Sequence, residues 1–160
     1  MIAPAGSVLD VACGSGRHLR WLAAQGFAVT GVDRDAAALA SLSQYGRSVV
    51  ADLENAPWPL PGQCFDVVVV TNYLWRPLWP AVLASLADGG VLIYETFALG
   101  HEAFGKPSNP DFLLRAGELL EACRGLHVVA FEDGTLDAPT RRVQRIAAIS
   151  SPAANARHPL

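Results

Sequence analysis

The 160-residue chain has little cysteine, no excess of basic charge and no long apolar run. Its three cysteines, Cys13, Cys64 and Cys123, are odd in number and lack C-x-x-C spacing. This argues against a disulfide framework and a zinc site, and it fits a reducing cytosol. No basic segment followed by an apolar one marks a signal peptide, and no apolar stretch reaches the roughly 18 residues of a membrane span. We therefore expect a cytoplasmic protein without a membrane partner.

The charge balance and overall composition narrow the class further. Lys and Arg number 12 against 15 Asp and Glu, which gives a net charge of −3. Nucleic-acid binding usually needs a basic face, so we expect no nucleic-acid partner. The 14 glycines, 11 prolines and 51% hydrophobic residues are ordinary for a compact domain long enough to bury a core. We predict one domain over residues 1–150 and a loose C-terminal tail over 151–160.

Short apolar runs with β propensity alternate with segments of helical periodicity. The four valines at 67–70 give the strongest run, which suits a central parallel strand. The pattern predicts an α/β protein with a doubly wound, mostly parallel seven-stranded sheet and an antiparallel C-terminal hairpin. The expected strands are 7–12, 28–33, 48–52, 65–72, 91–97, 126–133 and 141–150, and the expected helices are 17–25, 35–45 with Asp35 as its N-cap, 77–86 and 115–123.

Acidic residues stand at the first three expected strands, at the edge where doubly wound sheets bind ligands. Asp10 precedes VACGSG, whose Gly14 and Gly16 allow a sharp turn that exposes backbone N–H groups to a ligand. Asp33 ends the second strand, where a carboxylate accepts hydrogen bonds from both hydroxyls of a ribose. Asp52 ends the third strand beside an apolar residue, as an adenine site needs. Each feature alone has a structural explanation, but their order favours a nucleoside site.

The segment DVACGSG at 10–16 resembles the first motif of class I S-adenosyl-L-methionine (SAM)-dependent methyltransferases, with Ala12 at the first glycine position of G-x-G-x-G. The resemblance continues through VTGVDRD, ADLE, FDVVVVTNYL and DGGVLIYETF, and it extends to about residue 150. It implies a Rossmann-like fold, methyl transfer and SAM as the cofactor. The later stretch FGKPSNPDFLLRAGELLE resembles a subgroup of small bacterial methyltransferases related to the tellurite-resistance type.

The resemblance assigns residues to the parts of SAM. It implies Asp33 at the ribose hydroxyls, and Asp52 with Leu53 at the adenine. Asn72, after the fourth strand, is expected to direct its carbonyl at the positive end of SAM. The expected contacts at the methionine end are Asp10 and the loop from Gly14 to Gly16, and the remaining cofactor contacts are Ala12, Arg17 and Arg34.

Two other interpretations depend on the same segment. A dinucleotide site expects G-x-G-x-x-G, but Leu19 stands at the third glycine position, and the chain contains no G-x-x-x-x-G-K-[ST] string for a P-loop. A nucleophilic role for Cys13 needs an electropositive partner, and only His18 is near in sequence. Both interpretations are therefore disfavoured.

Methyl transfer from a sulfonium is an in-line displacement, which needs alignment, exclusion of water and, for a neutral nucleophile, a base. It requires no metal. The loops after the fourth and fifth strands are the expected sources of these groups. Each candidate there has an alternative as a packing or solvated residue. The catalytic candidates are Tyr73, Glu95 and His101, and the substrate-binding candidates are Trp75, Arg76 and Lys106.

The methyl acceptor stays open at this stage. We expect a small molecule that offers a thiol, amine, hydroxyl or metalloid oxyanion, because TNYL differs from the N-P-P-[YF] of amino-group DNA methyltransferases. The first strand starts near residue 7, so we expect N-terminal cap helices to be missing and the site to be open, closed by the loop after strand five, or completed by a partner chain. We expect a monomer or a homodimer. A SAM-binding subunit without activity is the second hypothesis, and a NAD-dependent oxidoreductase is the third.

Overall fold

The computed structural model describes residues 6–151, which form a seven-stranded sheet in the order β3-β2-β1-β4-β5-β7-β6. The first five strands are parallel and the last two are antiparallel, as predicted. The elements are β1 (Ser7–Val11), α1 (Arg17–Ala24), β2 (Ala28–Asp33), α2 (Ala36–Ala40), β3 (Arg47–Val50), β4 (Phe65–Thr71), α3 (Trp79–Ala84), β5 (Leu86–Phe97), α4 (Glu118–Ala122), β6 (His127–Leu136) and β7 (Arg141–Ile149).

The strand order reverses between β1 and β4, and this reversal positions the site. The chain runs outward from β1 to β3 and then returns to β4, so the loops after β1 and β4 diverge and leave a crevice. Val67 to Val70 in β4 are buried on both faces, which confirms the central position that the valine run predicts.

Each face of the sheet has its own apolar core. On one face Leu19 of α1 and Leu39 of α2 pack with Val8 and Val69. On the other face Val82 of α3 and Leu119 of α4 join the larger core around Leu9 and Val68. The layers are thus helix, sheet and helix, as a doubly wound sheet requires.

The helices are shorter than the sequence predicts. Asp35 caps α2 as expected, since its carboxylate accepts from the Ala38 N–H at 3.0 Å, but the helix ends at Ala40 rather than near residue 45. Two serine hydroxyls there donate to helix carbonyls, Ser41 to Ala38 and Ser43 to Ala40, and such bonds favour helix ends. In place of the predicted helix 77–86, the structure has a 3-10 turn at Arg76–Leu78 followed by α3. In place of the predicted helix 115–123, it has only the shorter α4.

Strand β5 begins five residues earlier than the apolar run at 91–97 indicates. Leu86 already pairs with Phe65, and the register then shifts before Val67 pairs with Val91. The Asp88-Gly89-Gly90 segment therefore lies within the strand as an irregularity. A glycine-rich turn and a β-bulge can have the same local sequence, so only the pairing of the neighbouring residues with β4 distinguishes the two.

Some expectations concern residues outside the described range of 6–151. The predicted C-terminal tail, apart from Ser151, lies outside this range. Residues 1–5, which precede β1 and bear on the expected absence of N-terminal cap helices, also lie outside it. Both stay predictions, together with the domain boundary. Within residues 6–151, no helix is long and apolar enough to cross a membrane.

Candidate functional site

A cavity of about 630 Å³ lies at the carboxyl ends of β1 to β5, beside the reversal of strand order. Its volume is in the range of small-molecule and cofactor sites. Its lining residues come from the ends of five strands and from the long loop after β5. They are Ala12, Gly14, Ser15, Asp33, Arg34, Asp35, Ala38, Ala51, Asp52, Leu53, Glu54, Asn72, Tyr73, Leu74, Thr96, Phe97, Pro107 and Phe112.

The loop after β1 adopts left-handed backbone conformations that glycine favours. Gly14 has φ +53° and Gly16, which precedes α1, has φ +76°. A Cβ built on Gly14 meets no atom within 4 Å, so the position leaves open space beside the cavity that a ligand can use. Ala12, at the first glycine position of the motif, has φ +54° and carries the strain that a glycine would avoid.

Asp33 joins the end of β2 to this loop. Its Oδ2 accepts a hydrogen bond from the Gly14 N–H at 2.8 Å, and its Oδ1 accepts one from the Asp35 N–H at 2.9 Å. A carboxylate offers about four lone pairs, so Asp33 retains capacity for two further donors on the cavity side. This is the arrangement that the two hydroxyls of a ribose require.

Asp52 lines the cavity after β3 and organises the turn that follows. Its carboxylate accepts from the Glu54 N–H at 3.0 Å, the Asn55 N–H at 3.2 Å and the Asn55 Nδ2 at 3.0 Å. The Asn55 side chain, followed by the Glu54 N–H, lowers the pKa of Asp52, so the group is an anionic acceptor at neutral pH. Leu53, only 8% exposed, supplies the apolar wall beside it.

Asn72 and Tyr73 form the β4 side of the cavity. Asn72 has φ +54°, a conformation that asparagine tolerates, and its N–H donates to the Glu95 carbonyl at 2.9 Å. The Tyr73 hydroxyl donates to Glu54 Oε1 at 3.4 Å. Burial, with the nearby Glu54 carboxylate, raises the pKa of Tyr73 above its usual range, so the phenol stays protonated.

Negative charge dominates the cavity. Among the described lining residues, four carry carboxylates, namely Asp33, Asp35, Asp52 and Glu54, and Arg34 is the only Lys or Arg. A surface with this balance attracts a cationic ligand and repels a pyrophosphate.

Asp10 lies below the loop rather than in the cavity lining. It is 1% exposed, and neither carboxylate oxygen has a hydrogen-bond partner in the described structure. Burial, with a contribution from the Asp33 charge, raises the pKa of Asp10 to about 7. A buried carboxyl without a donor is costly, and it is a natural complement to a cationic group held at the loop.

Two of the three predicted catalytic residues do not line the cavity. Glu95 pairs with Arg141 at 3.5 Å and with Arg145 at 3.3 Å. His101 is 5% exposed, and both ring nitrogens contact the backbone, Nε2 at 3.1 Å from the Lys106 carbonyl and Nδ1 at 3.3 Å from the Arg142 N–H. Both residues thus have structural partners outside the cavity lining, His101 within the loop and Glu95 in an ion-pair group, and their catalytic role stays a prediction.

The predicted substrate-binding residues also lie outside the lining. The Arg76 guanidinium is held by Glu118, with Nε 2.7 Å from Oε1 and Nη2 2.9 Å from Oε2, and by the carbonyls of Asp111 and Leu113. The half-buried indole of Trp75 packs against the larger core, and Lys106 is exposed. Arg76 therefore has a structural partner 42 residues away, which local sequence cannot reveal.

Most of the predicted cofactor residues lie in the cavity lining. Ala12, Gly14, Asp33, Arg34, Asp52, Leu53 and Asn72 line it, as does Tyr73, whereas Asp10, Gly16 and Arg17 do not. Glu54 belongs to the ADLE segment and Thr96 and Phe97 follow Glu95, so proximity to strand ends could have identified them. Pro107 and Phe112 carry no such signal, because a long loop returns them to the cavity.

Residues 8–89 match the family described as "Methyltransferase domain", which is more than half of the chain. The chain belongs to this family. The resemblance drawn from the sequence is confirmed, and with it the expectation of a methyltransferase domain. No curated protein matches the chain in sequence.

Solved structures share the fold at low sequence identity. TehB from Haemophilus influenzae superposes with a TM-score of 0.73 at 19% identity, over 92% of this chain and 58% of TehB, so the chain spans little more than half of that protein. An S-adenosylmethionine-dependent methyltransferase from Mesorhizobium loti gives 0.73 at 19% identity over 93% of both chains. A TehB-like SAM-dependent methyltransferase from Corynebacterium glutamicum gives 0.69 at 20% identity, over 95% of this chain and 83% of the other.

Proposed function

We propose that the chain transfers the methyl group of SAM to a small-molecule acceptor at the cavity between β1 and β5. The observation that carries the proposal is the bond from the Gly14 N–H to Asp33, which joins the glycine loop to a carboxylate with free acceptor capacity. The acidic lining supports the same conclusion, because SAM carries a sulfonium and an ammonium group.

The lining residues divide among the parts of SAM. Asp33 accepts from the ribose hydroxyls, and Asp52 with Leu53 faces the adenine. The loop of Gly14 and Ser15 receives the methionine end, with the buried Asp10 carboxyl below it as the complement to the ammonium group. When bound, SAM supplies an electrophilic methyl group on a positively charged leaving sulfur.

The β4 side of the cavity governs the transfer. The Asn72 side chain and the Tyr73 hydroxyl oxygen present partial negative charge to a sulfonium without becoming charged themselves. Tyr73 keeps its orientation because its hydroxyl donates to Glu54 and its carbonyl accepts from the Tyr94 hydroxyl at 2.7 Å. Phe97, Pro107 and Phe112 exclude water from the same side.

An oxidoreductase that uses NAD is disfavoured by the electrostatics. Four carboxylates against one guanidinium repel a pyrophosphate, and the third glycine of the dinucleotide motif is Leu19, which is fully buried in the α1 core. A SAM-binding subunit without activity is the remaining alternative, and a turnover assay with candidate acceptors distinguishes it from an enzyme.

The experiment is a calorimetric titration of the purified chain with SAM, S-adenosylhomocysteine and NAD⁺ separately. We expect saturable binding of the first two and no saturation by NAD⁺ at millimolar concentration. Saturable NAD⁺ binding, or no heat with either sulfur nucleoside, would remove the proposal.

The proposal includes a cytoplasmic location and a small-molecule acceptor. The three cysteines are free in the structure, which supports a reducing cytoplasm. The net charge of −3 supports a small-molecule acceptor over nucleic acid. A monomer, a homodimer or a partner chain over the open side of the site are all compatible with this proposal, and sedimentation of the purified chain distinguishes them.

A further inference from the structure

The four carboxylates of the described cavity lining differ in what they already bind. Asp33 and Asp35 accept hydrogen bonds from backbone N–H groups of the loop after β1 and of the start of α2. Asp52 accepts two from the turn that follows it and a third from a side chain of that turn. Among the described residues, the hydrogen-bond partner of the Glu54 carboxylate is the Tyr73 hydroxyl alone, 3.4 Å from Oε1. The backbone therefore does not need Glu54, and its carboxylate is available for chemistry in the cavity.

Tyr73, the partner of Glu54, is held at its backbone as well as at its side chain. Its carbonyl oxygen accepts from the hydroxyl of the buried Tyr94 at 2.7 Å, and the preceding Asn72 N–H donates to the Glu95 carbonyl at 2.9 Å. The Tyr73 hydroxyl donates to Glu54, which leaves the lone pairs of its oxygen for a second partner. A ligand in the cavity can therefore donate to Tyr73 while Tyr73 donates to Glu54.

This chain of two hydroxyl-type bonds can move a proton that Tyr73 alone cannot hold. Burial, with the nearby Glu54 charge, raises the pKa of Tyr73 above its usual range, so the phenol does not act as an anionic base. When the Tyr73 oxygen takes a proton from a ligand, it releases its own proton to Glu54, and the phenol is neutral before and after. The bond to Glu54 is long at 3.4 Å, and catalytic hydrogen bonds often shorten when the ligand binds.

A proton relay serves some methyl acceptors better than others. A thiol with a pKa of about 8.5 ionises in solution, and a free amine attacks with a lone pair that carries no proton. A phenol with a pKa of about 10 is mostly neutral at pH 7, and its oxygen becomes a strong nucleophile only as its proton leaves. An alcohol resembles water, whose pKa is near 16, and holds its proton more tightly. Phe97 and Phe112 line the same cavity, and aromatic side chains pack favourably with an aryl ring.

Resting on the proposed function, we propose that Tyr73 and Glu54 form a proton relay that activates a small phenol as the methyl acceptor. The oxygen of the acceptor forms the new bond to the methyl carbon, while its proton passes to the Tyr73 oxygen and the Tyr73 proton passes to Glu54. The bond from the methyl carbon to the sulfonium sulfur breaks, with its electron pair retained by the sulfur. The products are an aryl methyl ether, S-adenosylhomocysteine and a protonated Glu54, which then releases the proton to solvent.

The test measures S-adenosylhomocysteine formation with a series of para-substituted phenols, from phenol itself to 4-nitrophenol, which is largely ionised at neutral pH. Glu54→Gln keeps a carbonyl oxygen that accepts from Tyr73 but cannot take up its proton. With phenol this variant should lower kcat about a hundredfold, the usual scale of general-base catalysis, and leave KM unchanged. The loss should shrink along the series as the phenols become more acidic. An equal loss across the series, or no loss with phenol, would overturn the inference.

Tyr73→Phe and the double variant test whether the two residues act as one unit. Each single variant should lose a similar factor in kcat with phenol, and the double variant should lose no more than either, because a relay is broken only once. Losses that multiply in the double variant would contradict the relay. Glu121→Gln, at an exposed position outside the described lining, is the control and should match the wild type.

The affinity for S-adenosylhomocysteine separates this inference from the proposed function. All four variants should bind it like the wild type, because the changes leave the Asp33 and Asp52 contacts intact. If the wild type binds S-adenosylhomocysteine but methylates no phenol, the inference fails and the proposed function survives. If the wild type does not bind it, both fail.

Discussion

The Gly14 N–H donates to Oδ2 of Asp33 at 2.8 Å, so the loop after β1 and the end of β2 form one unit. The bond joins positions 19 residues apart, and both residues line the same cavity. Asp33 thus supports the loop after β1, and in the proposed function it also binds the ligand. A change at Asp33 should affect both functions.

The first prediction concerns this carboxylate. Asp33→Ala should weaken S-adenosylhomocysteine binding by roughly ten- to a hundredfold, because hydrogen bonds to a charged acceptor contribute about 1.5–3 kcal/mol. Calorimetry on the wild type and the variant measures the ratio. Asp88→Ala, at an exposed position in β5, is the matched control and should bind like the wild type.

The second prediction concerns the strained alanine of the motif. Ala12→Gly should raise the free energy of unfolding by about 1 kcal/mol, because Ala12 has φ +54° and glycine adopts this conformation without strain. Ala37→Gly, at an exposed position within α2, should lower it by a similar amount. Urea unfolding of both variants measures the sign, and a destabilised Ala12→Gly would refute the explanation.

The features of the fold and site that the sequence predicts are those whose interacting residues lie close together along the chain. Asp35 as a helix cap and the acids at the ends of β2 and β3 follow from local chemistry, and the structure places them as expected. Glu118, the partner of Arg76, lies 42 residues away, so the sequence could not show that this arginine, predicted to bind substrate, is held in an ion pair. Phe112 reaches the cavity through a long loop whose path depends on tertiary contacts.

The third prediction concerns the ion pair between the buried Glu118 and the half-buried Arg76. Burial would raise the pKa of Glu118, but hydrogen bonds from Arg76 and Arg115 outweigh it and hold the pKa at about 2. The pair therefore stabilises the fold above pH 4.5, and this contribution is lost as the pH falls towards 2. Glu118→Gln should cost about 1–3 kcal/mol at pH 7, since Arg76 loses its carboxylate partner but keeps the carbonyls of Asp111 and Leu113.

Glu121→Gln is the control for that experiment, because Glu121 is exposed and lies 3.9 Å from Arg124. It should unfold like the wild type at every pH. Thermal unfolding between pH 3 and pH 7 distinguishes the two variants. If Glu118→Gln kept the acid dependence of the wild type, the assignment of that dependence to the pair would be wrong.

The fourth prediction concerns the buried Asp10. Its pKa is raised from 3.8 to about 7, so the folded state holds a proton that the unfolded state releases. The stability contributed by this group is full below pH 3.8 and is lost as the pH rises through 7, by on the order of 4 kcal/mol. In the ligand-free protein, Asp10→Asn should remove this decline. Parallel pH–stability curves for the wild type and Asp10→Asn would contradict the predicted shift.

The most direct test of the central claim is a crystal structure of the chain with S-adenosylhomocysteine. The ribose hydroxyls should lie within hydrogen-bond distance of the Asp33 carboxylate, with the adenine between Asp52 and Leu53 and the sulfur towards Asn72 and Tyr73. Electron density for the ligand at any other place, or in this cavity with the ribose away from Asp33, would contradict the account.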